Sequence, residues 1–391
     1  MTDHSPRRVL LGRGFAGDVC ELSGLKRSWS CAFGDLPSRN PFAALHDLEA
    51  SLAEGDAIAG WIGYECAIAL EPSLHLPPPP VSLPIAWFGV FGASRAAADR
   101  LPPVHVPAPT RVDRGEPPEV YQGRVQNIRQ RITRGDVFQV NYSHRQTAEF
   151  APSRERLIDQ LPWPDALDAA YGAFFDMGEA SLVSASPELF LSLEGDHLVA
   201  EPVKGTRRRR ADPARDEQAL ADLKADPKDR AENIMITDLL RNDLSKVSKD
   251  GTVREPVICG ARTHAHVHHL YSQVEGRLRD DLSFADALAA AFPCGSVTGA
   301  PKLAAMEAIA ELEGMGRGPY CGAVIYRPHR GKTAASVAIR TAVVDERVRT
   351  IEVRSGGGVT ILSDPEAEYR EAIDKGYLFR HLAGQDDSHH R

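Results

Sequence analysis

TAASVAIRTAVVDERVRTIEVRSGGGV, residues 333–359, decides the fold. Small and β-branched residues fill both arms of this stretch, and the short polar VDERV lies between them, so it reads as a hairpin of two strands. SDPEAEYREAIDKG (363–376) follows as a helix. Upstream, VFQVNYSHRQTAEF (137–150), EASLVSASPELFLSLEGDHLVAEPV (179–203), REPVICGARTHAHVHHLYSQVEGRL (254–278) and YCGAVIYRP (320–328) repeat the β-rich character, with LEGDHL as another tight turn. EVYQGRVQNIRQRITRG (119–135) places Tyr121, Val125, Ile128 and Ile132 on one face and its arginines and glutamines on the other. This is an amphipathic helix ending at Gly135. Further helices are predicted over about 213–247, 283–291, 301–313 and 364–384. Hairpins with helices set between them predict an α/β sandwich of large, mainly antiparallel sheets with flanking helices, rather than a doubly wound parallel sheet. No internal repeat is visible.

Two proline-rich stretches, LHLPPPPVSLP (74–84) and RLPPVHVPAPTRVDRGEPPEV (100–120), exclude helix interiors and central strands. Between them IAWFGVFGAS (85–94) reads as a strand. The second stretch sets an expected boundary near residue 115, dividing an N-terminal region (1–115) from a catalytic domain (116–386) and a disordered tail (387–391). The chain is 42% hydrophobic and 26% charged, with no apolar run long enough for a membrane span. MTDHSPRRVLLGRGF lacks a secretory apolar region, and the six cysteines form no C-x-x-C pair, so a reducing cytoplasmic setting is expected. A net charge of −8 disfavours nucleic acid, and the run Arg207 to Arg210 reads as a solvated loop.

Several motifs mislead. GRGFAG (12–17) has the spelling of a dinucleotide site, but Gly24 interrupts the segment that should form its helix, leaving a glycine-rich surface loop. GSVTGAPK lacks the spacing of a phosphate loop; its Pro301 instead opens a helix whose first turn faces an anion of carboxylate size. In THAHVHHL, His264, His266 and His268 alternate onto one strand face, a pattern more often yielding one functional or hydrogen-bonded histidine than a metal triad.

Two helices carry spaced carboxylates: Asp229 and Glu232 in KDRAENIMITDLLRND, and Glu368 and Glu371, with Lys375, in SDPEAEYREAIDKG. Oxygen ligands from two helices suit Mg²⁺, which keeps waters and takes one or two carboxylates plus an anionic substrate.

Taken in order, GDVFQVN, SASPELF, EPVKGT, ENIMITDLLRNDLSKV, HVHHLYSQVEG, CGSVTGAPK, RGPYCGAVIY, VAIRT, SGGGV and SDPEAEYREAIDK resemble the motifs of the chorismate-utilising enzymes. That family includes anthranilate synthase component I, aminodeoxychorismate synthase component I, and the isochorismate and salicylate synthases. The resemblance covers about residues 118–385, and GWIGYE (60–65) resembles part of the family's N-terminal region. It implies the family's fold. It also implies that Glu232 and Glu371, with Asp229 and Glu368 beside them, hold Mg²⁺ and through it the ring carboxylate of chorismate. Arg340, Tyr320, Gly357 and Gly358 would hold the enolpyruvyl carboxylate, with Ser296, Thr298, Thr206 and Lys375 as further substrate or metal-water contacts.

Relatives that add water resemble one another in having a lysine base where this chain has Gln139, which disfavours hydroxylation. Anthranilate synthases read P-I-A-G-T where this chain reads Pro202-Val203-Lys204-Gly205-Thr206. Lys204 therefore resembles the nucleophile of the aminodeoxychorismate synthases, Glu188 the family's general acid, and His269 a histidine associated with pyruvate elimination. The implied reaction is amination of chorismate at ring carbon 4, on the route to 4-aminobenzoate and folate. None of the six cysteines sits in a G-x-C-x-G setting, so ammonia is expected from a separate glutaminase subunit, and a downstream lyase would release 4-aminobenzoate. The alternatives are anthranilate synthase component I and a degenerate chorismate-binding module without activity.

Overall fold

The computed structural model describes residues 5–97, 106–263 and 267–385. His264, His266 and the expected tail 387–391 lie outside the described residues.

The quoted hairpin is present: Thr341–Asp345 pairs antiparallel with Thr350–Val359. Thr350–Val359 also pairs with Gln139–Glu149 over ten consecutive positions, from Thr350↔Glu149 to Val359↔Val140. From Thr341–Asp345 the pairing continues through Ala180–Ser186, Tyr171–Asp176, Arg8–Leu11, Cys20–Cys31, Ala86–Ala96 and Ala57–Ile62. It then runs through Ala323–Pro328, Thr333–Val337, Leu189–Glu194 and His197–Ala200 to Val267–Arg277, which is flanked by Val203–Arg208 and Arg254–Thr263. The architecture is an α/β sandwich on a large antiparallel sheet with flanking helices. Strands from both sides of residue 115 are hydrogen-bonded neighbours within it.

One apolar layer brings Val9, Phe175 and Leu182 together with Trp61, Trp87 and Val324. Trp61 stacks on Trp87 and meets Phe175 edge-on, at centroid separations of 5.6 and 5.4 Å. Each such buried aromatic contributes roughly 1.5–3 kcal/mol by leaving water. A second layer packs the helices Pro41–Ala50, Pro227–Ser245 and Phe284–Ala291 on the sheet through Leu45, Ile236, Leu240 and Leu288.

The long expected helices divide at predictable chemistry. Over 213–247 there are two, Pro213–Ala225 and Pro227–Ser245, because Pro227 cannot continue the first, and the Asp226 side chain accepts from Lys228 N and Asp229 N to start the second. The last splits at Gly376 into Pro365–Lys375 and Tyr377–Leu382. GRGFAG is not a surface loop. Arg13–Ala16 makes one helical turn with Phe15 buried, and a Cβ on Gly14 would lie 2.2 Å from Ala170 O. The following segment is the strand Cys20–Cys31, so no helix caps a pyrophosphate there. In the arginine run, Arg207 pairs with Asp226 and Asp229, and Arg209 with Asp216. All six cysteines are buried thiols. Among the described residues, no helix is long and apolar enough to cross a membrane.

Candidate active site

The glycine strand brings the two carboxylate helices together. A Cβ on Gly357 would lie 3.3 Å from Glu368 Oε2, 3.5 Å from Glu371 Oε1 and 3.6 Å from Lys375 Nζ. One on Gly358 would lie 3.3 Å from Glu232 Oε2 and 2.6 Å from Gln139 Nε2. Bare backbone at SGGGV is therefore what lets Glu232 from Pro227–Ser245 and Glu368 and Glu371 from Pro365–Lys375 approach one patch of strand. Asp229 meets bare backbone on a different strand, at Gly205 of Val203–Arg208. Gly205 has φ +83, which favours glycine, and a Cβ there would sit 2.8 Å from Asp229 Cγ.

Lysines balance this acidic cluster. Lys228 Nζ bonds Glu368 Oε1 and lies 3.7 Å from Glu232, while Lys375 Nζ lies 2.6 Å from Glu371. Burial pushes the Glu232 carboxyl up against the pull of Lys204 and Lys228, with Glu368 and Glu371 adding repulsion. Burial likewise raises Asp229. Glu371 goes the other way, to about 2, chiefly because of Lys375. The Glu371 and Lys375 side chains remain 45% and 42% exposed, so this edge of the cluster opens to solvent. Glu368 Oε2 is buried without a hydrogen-bond partner. Among the described residues, no three His, Cys, Asp or Glu side chains form a ready-made metal-holding group.

Beside the carboxylates lies a second set. Lys204, on Val203–Arg208, donates from Nζ to the Ser296 carbonyl at 2.9 Å. Glu188, between the strands Ala180–Ser186 and Leu189–Glu194, is 4% exposed. Burial raises its carboxyl, moderated first by the Ser296 hydroxyl and then by Lys204. Its Oε1 has no hydrogen-bond partner. Both amide atoms of Gln139 are also buried and unpartnered. A buried acid, an amine and an amide with unspent bonding capacity thus border the carboxylate cluster, an arrangement suited to binding a polar anion and moving a proton.

Other expected site residues are placed differently. Thr298 is fully buried and its hydroxyl donates to the Cys294 carbonyl. Thr206 is exposed. Arg340 adopts φ +50, unusual for a side-chain-bearing residue, and its guanidinium lies 5.4 Å from the Tyr377 ring. Burial pushes the Tyr320 phenol well above its usual range, and the Arg317 guanidinium lies 5.8 Å from its ring. His269 is buried and lines a cavity of about 120 Å³ with Tyr171, Pro187, Val203, Arg262 and Tyr271. His268 bonds Asp216 and Thr263. Lys228 escaped the sequence reading, although its position four residues before Glu232 carried the signal.

A model of the chorismate binding enzyme family matches residues 30–380. The chain is 44% identical over 257 residues to "Anthranilate synthase component 1 3" of Haloarcula marismortui, covering 65% of this chain and 50% of that protein. It is 39% identical over 255 residues to aminodeoxychorismate synthase component 1 of Salmonella typhimurium, covering 65% and 55%. The chain thus spans about half the length of these curated relatives. Its fold matches the crystal structure of anthranilate synthase component I from Streptococcus pneumoniae, with a TM-score of 0.77 at 24% identity over 97% of this chain and 94% of that one. With the family model running through both carboxylate helices, Glu188, Lys204 and the glycine strand, the chain belongs to the chorismate binding enzyme family.

Proposed function

We propose that this chain aminates chorismate at ring carbon 4, giving 4-amino-4-deoxychorismate. The observation carrying this reading is Lys204, held 2.9 Å from the Ser296 carbonyl, with the buried acid Glu188 bonded to the Ser296 hydroxyl and under the electrostatic pull of Lys204. Deprotonated Lys204 attacks ring carbon 2 as the ring double bonds shift and the carbon 4–oxygen bond breaks. Glu188 gives its proton to the departing hydroxyl, which leaves as water. With carbon 2 occupied, ammonia attacks carbon 4, the double bonds shift back, and the carbon 2–Lys204 bond breaks. The Glu188 carboxylate takes the surplus ammonium proton, which resets the acid.

The donor chemistry fits Mg²⁺: oxygen ligands from two helices, an unpartnered buried Glu368 oxygen, and glycine backbone where a side chain would fill the cradle. Glu232 and Glu371, with Asp229 and Glu368 beside them, would hold it. Bound there, the ion would supply positive charge against the substrate's carboxylate. Glu371→Gln is expected to keep the fold and lower metal-dependent turnover at least about tenfold, or about 1.4 kcal/mol. An unchanged Mg²⁺ titration at wild-type turnover would remove Glu371 from the ligand set.

Ammonia would come from a glutaminase subunit. Ammonium alone should therefore support turnover, whereas glutamine should do so only after a glutaminase is added. Glutamine-dependent turnover by the pure chain would refute this. The product keeps its enolpyruvyl group, so a lyase is needed to release 4-aminobenzoate.

The second reading is anthranilate synthase component I, in which ammonia attacks carbon 2 directly and pyruvate is lost. Its support is the name of the 44% identical relative, against 39% for the aminodeoxychorismate synthase. Lys204 stands against it. The two readings differ in product mass and fluorescence.

A further inference from the structure

Outside this chemistry, a set of buried charges surrounds Arg317, which is 2% exposed. Its guanidinium donates to Glu313 at 2.6 and 3.0 Å, to the Val297 carbonyl at 2.9 Å and to the Asn141 carbonyl at 2.6 Å, with the Tyr64 ring 4.8 Å away. Glu313 also accepts from Ser143 N, Ser143 Oγ and Arg354. The Arg317 backbone is fixed from the N-terminal region. Glu65, 1% exposed, accepts from Arg317 N at 2.5 Å and Gly318 N at 3.0 Å.

Burying such charges costs several kcal/mol per ion unless hydrogen bonds satisfy them, so a guanidinium bonded through all three of its nitrogens holds its partners in one geometry. Those partners border the reactive groups. Val297 follows Ser296, whose carbonyl takes Lys204 Nζ, and Asn141 lies two residues past Gln139 on the same strand.

We propose that Arg317 is a positioning residue, anchored by Glu65, that fixes the Ser296 carbonyl and the Gln139 strand and thereby holds the Lys204 amine in place. Its catalytic meaning rests on the reading above that Lys204 reacts. On this account the segment GWIGYE is part of the active-site scaffold.

Two variants of the full chain test this, Arg317→Lys and Glu65→Gln. Lysine cannot span both carbonyls and Glu313, and the glutamine amide turns one acceptor into a donor facing an N–H. The first readout is the rate at which acetic anhydride labels Lys204, followed by peptide mass and normalised to exposed Lys332. It needs no substrate. A change of at least about threefold is expected in each variant, the scale of one net hydrogen bond. The second readout is the KM-against-kcat split: kcat for chorismate amination is expected to fall about tenfold with KM little changed, at a temperature where the variant is fully folded. A purely structural role would lower thermal stability and leave both unchanged in the folded protein, and that result overturns the proposal. If Arg317→Lys does not fold, Glu65→Gln decides alone. Altered Lys204 labelling in a chain that never consumes chorismate would uphold the positioning and sink the proposed function instead.

Discussion

Lys204→Ala is expected to lower 4-amination at least about a thousandfold, or about 4 kcal/mol of transition-state stabilisation, while chorismate still binds. The substitution removes a half-buried side chain with one hydrogen bond, to the Ser296 carbonyl, so its cost to stability is only about 1 kcal/mol. The loss should fall on chemistry because, in the proposed mechanism, the covalent bond to carbon 2 is what directs ammonia to carbon 4. Residual turnover should place nitrogen on carbon 2 by direct attack, since the variant's PVAGT approaches the P-I-A-G-T of the ortho-aminating relatives. Intact-protein mass with chorismate and Mg²⁺, but no ammonia, gives a direct view. The wild type should carry an adduct on the peptide containing Lys204, and the variant should not. Full 4-amination by Lys204→Ala would end the covalent mechanism.

Glu188→Gln should cost roughly 10²–10⁴ in turnover, because the amide keeps the shape of the side chain but has no proton to give. In the proposed mechanism Glu188 acts as an acid in its protonated form, which burial stabilises. Wild-type activity should therefore be present below the raised Glu188 value and fall as pH rises through it. The glutamine variant should lack that alkaline limb. A variant with wild-type turnover and an unchanged pH profile would show that another group protonates the leaving hydroxyl.

Much of the fold was legible because its signals are local. The small and β-branched residues of TAASVAIRT and TIEVRSGGGV, the VDERV turn and the Tyr121–Ile132 stripe each specify an element within a few residues. The break at Asp226–Pro227 was equally local and was overlooked. Which strands meet was not legible: Arg8–Leu11 lies beside Tyr171–Asp176 through pairings that no short window encodes.

The candidate site divides along the same line. Helical spacing put Asp229 with Glu232 and Glu368 with Glu371 on shared faces, but only the fold shows these faces meeting over Gly357 and Gly358. The resemblance singled out Lys204 and Glu188; their common neighbour Ser296 follows from contacts between residues some ninety positions apart. Thr298 shows the opposite case, a motif residue whose hydroxyl is taken up by its own turn. Arg317 has one local signal, Glu313 four residues before it, but its other partners Glu65, Asn141 and Val297 lie on three separate segments that no short window joins.

The most direct test of the central claim is the product formed from chorismate, ammonium and Mg²⁺ by the purified chain. The account predicts a non-aromatic amine that retains the enolpyruvyl group, releasing pyruvate and 4-aminobenzoate only after a lyase is added. Fluorescent anthranilate with pyruvate released in the lyase's absence would contradict it.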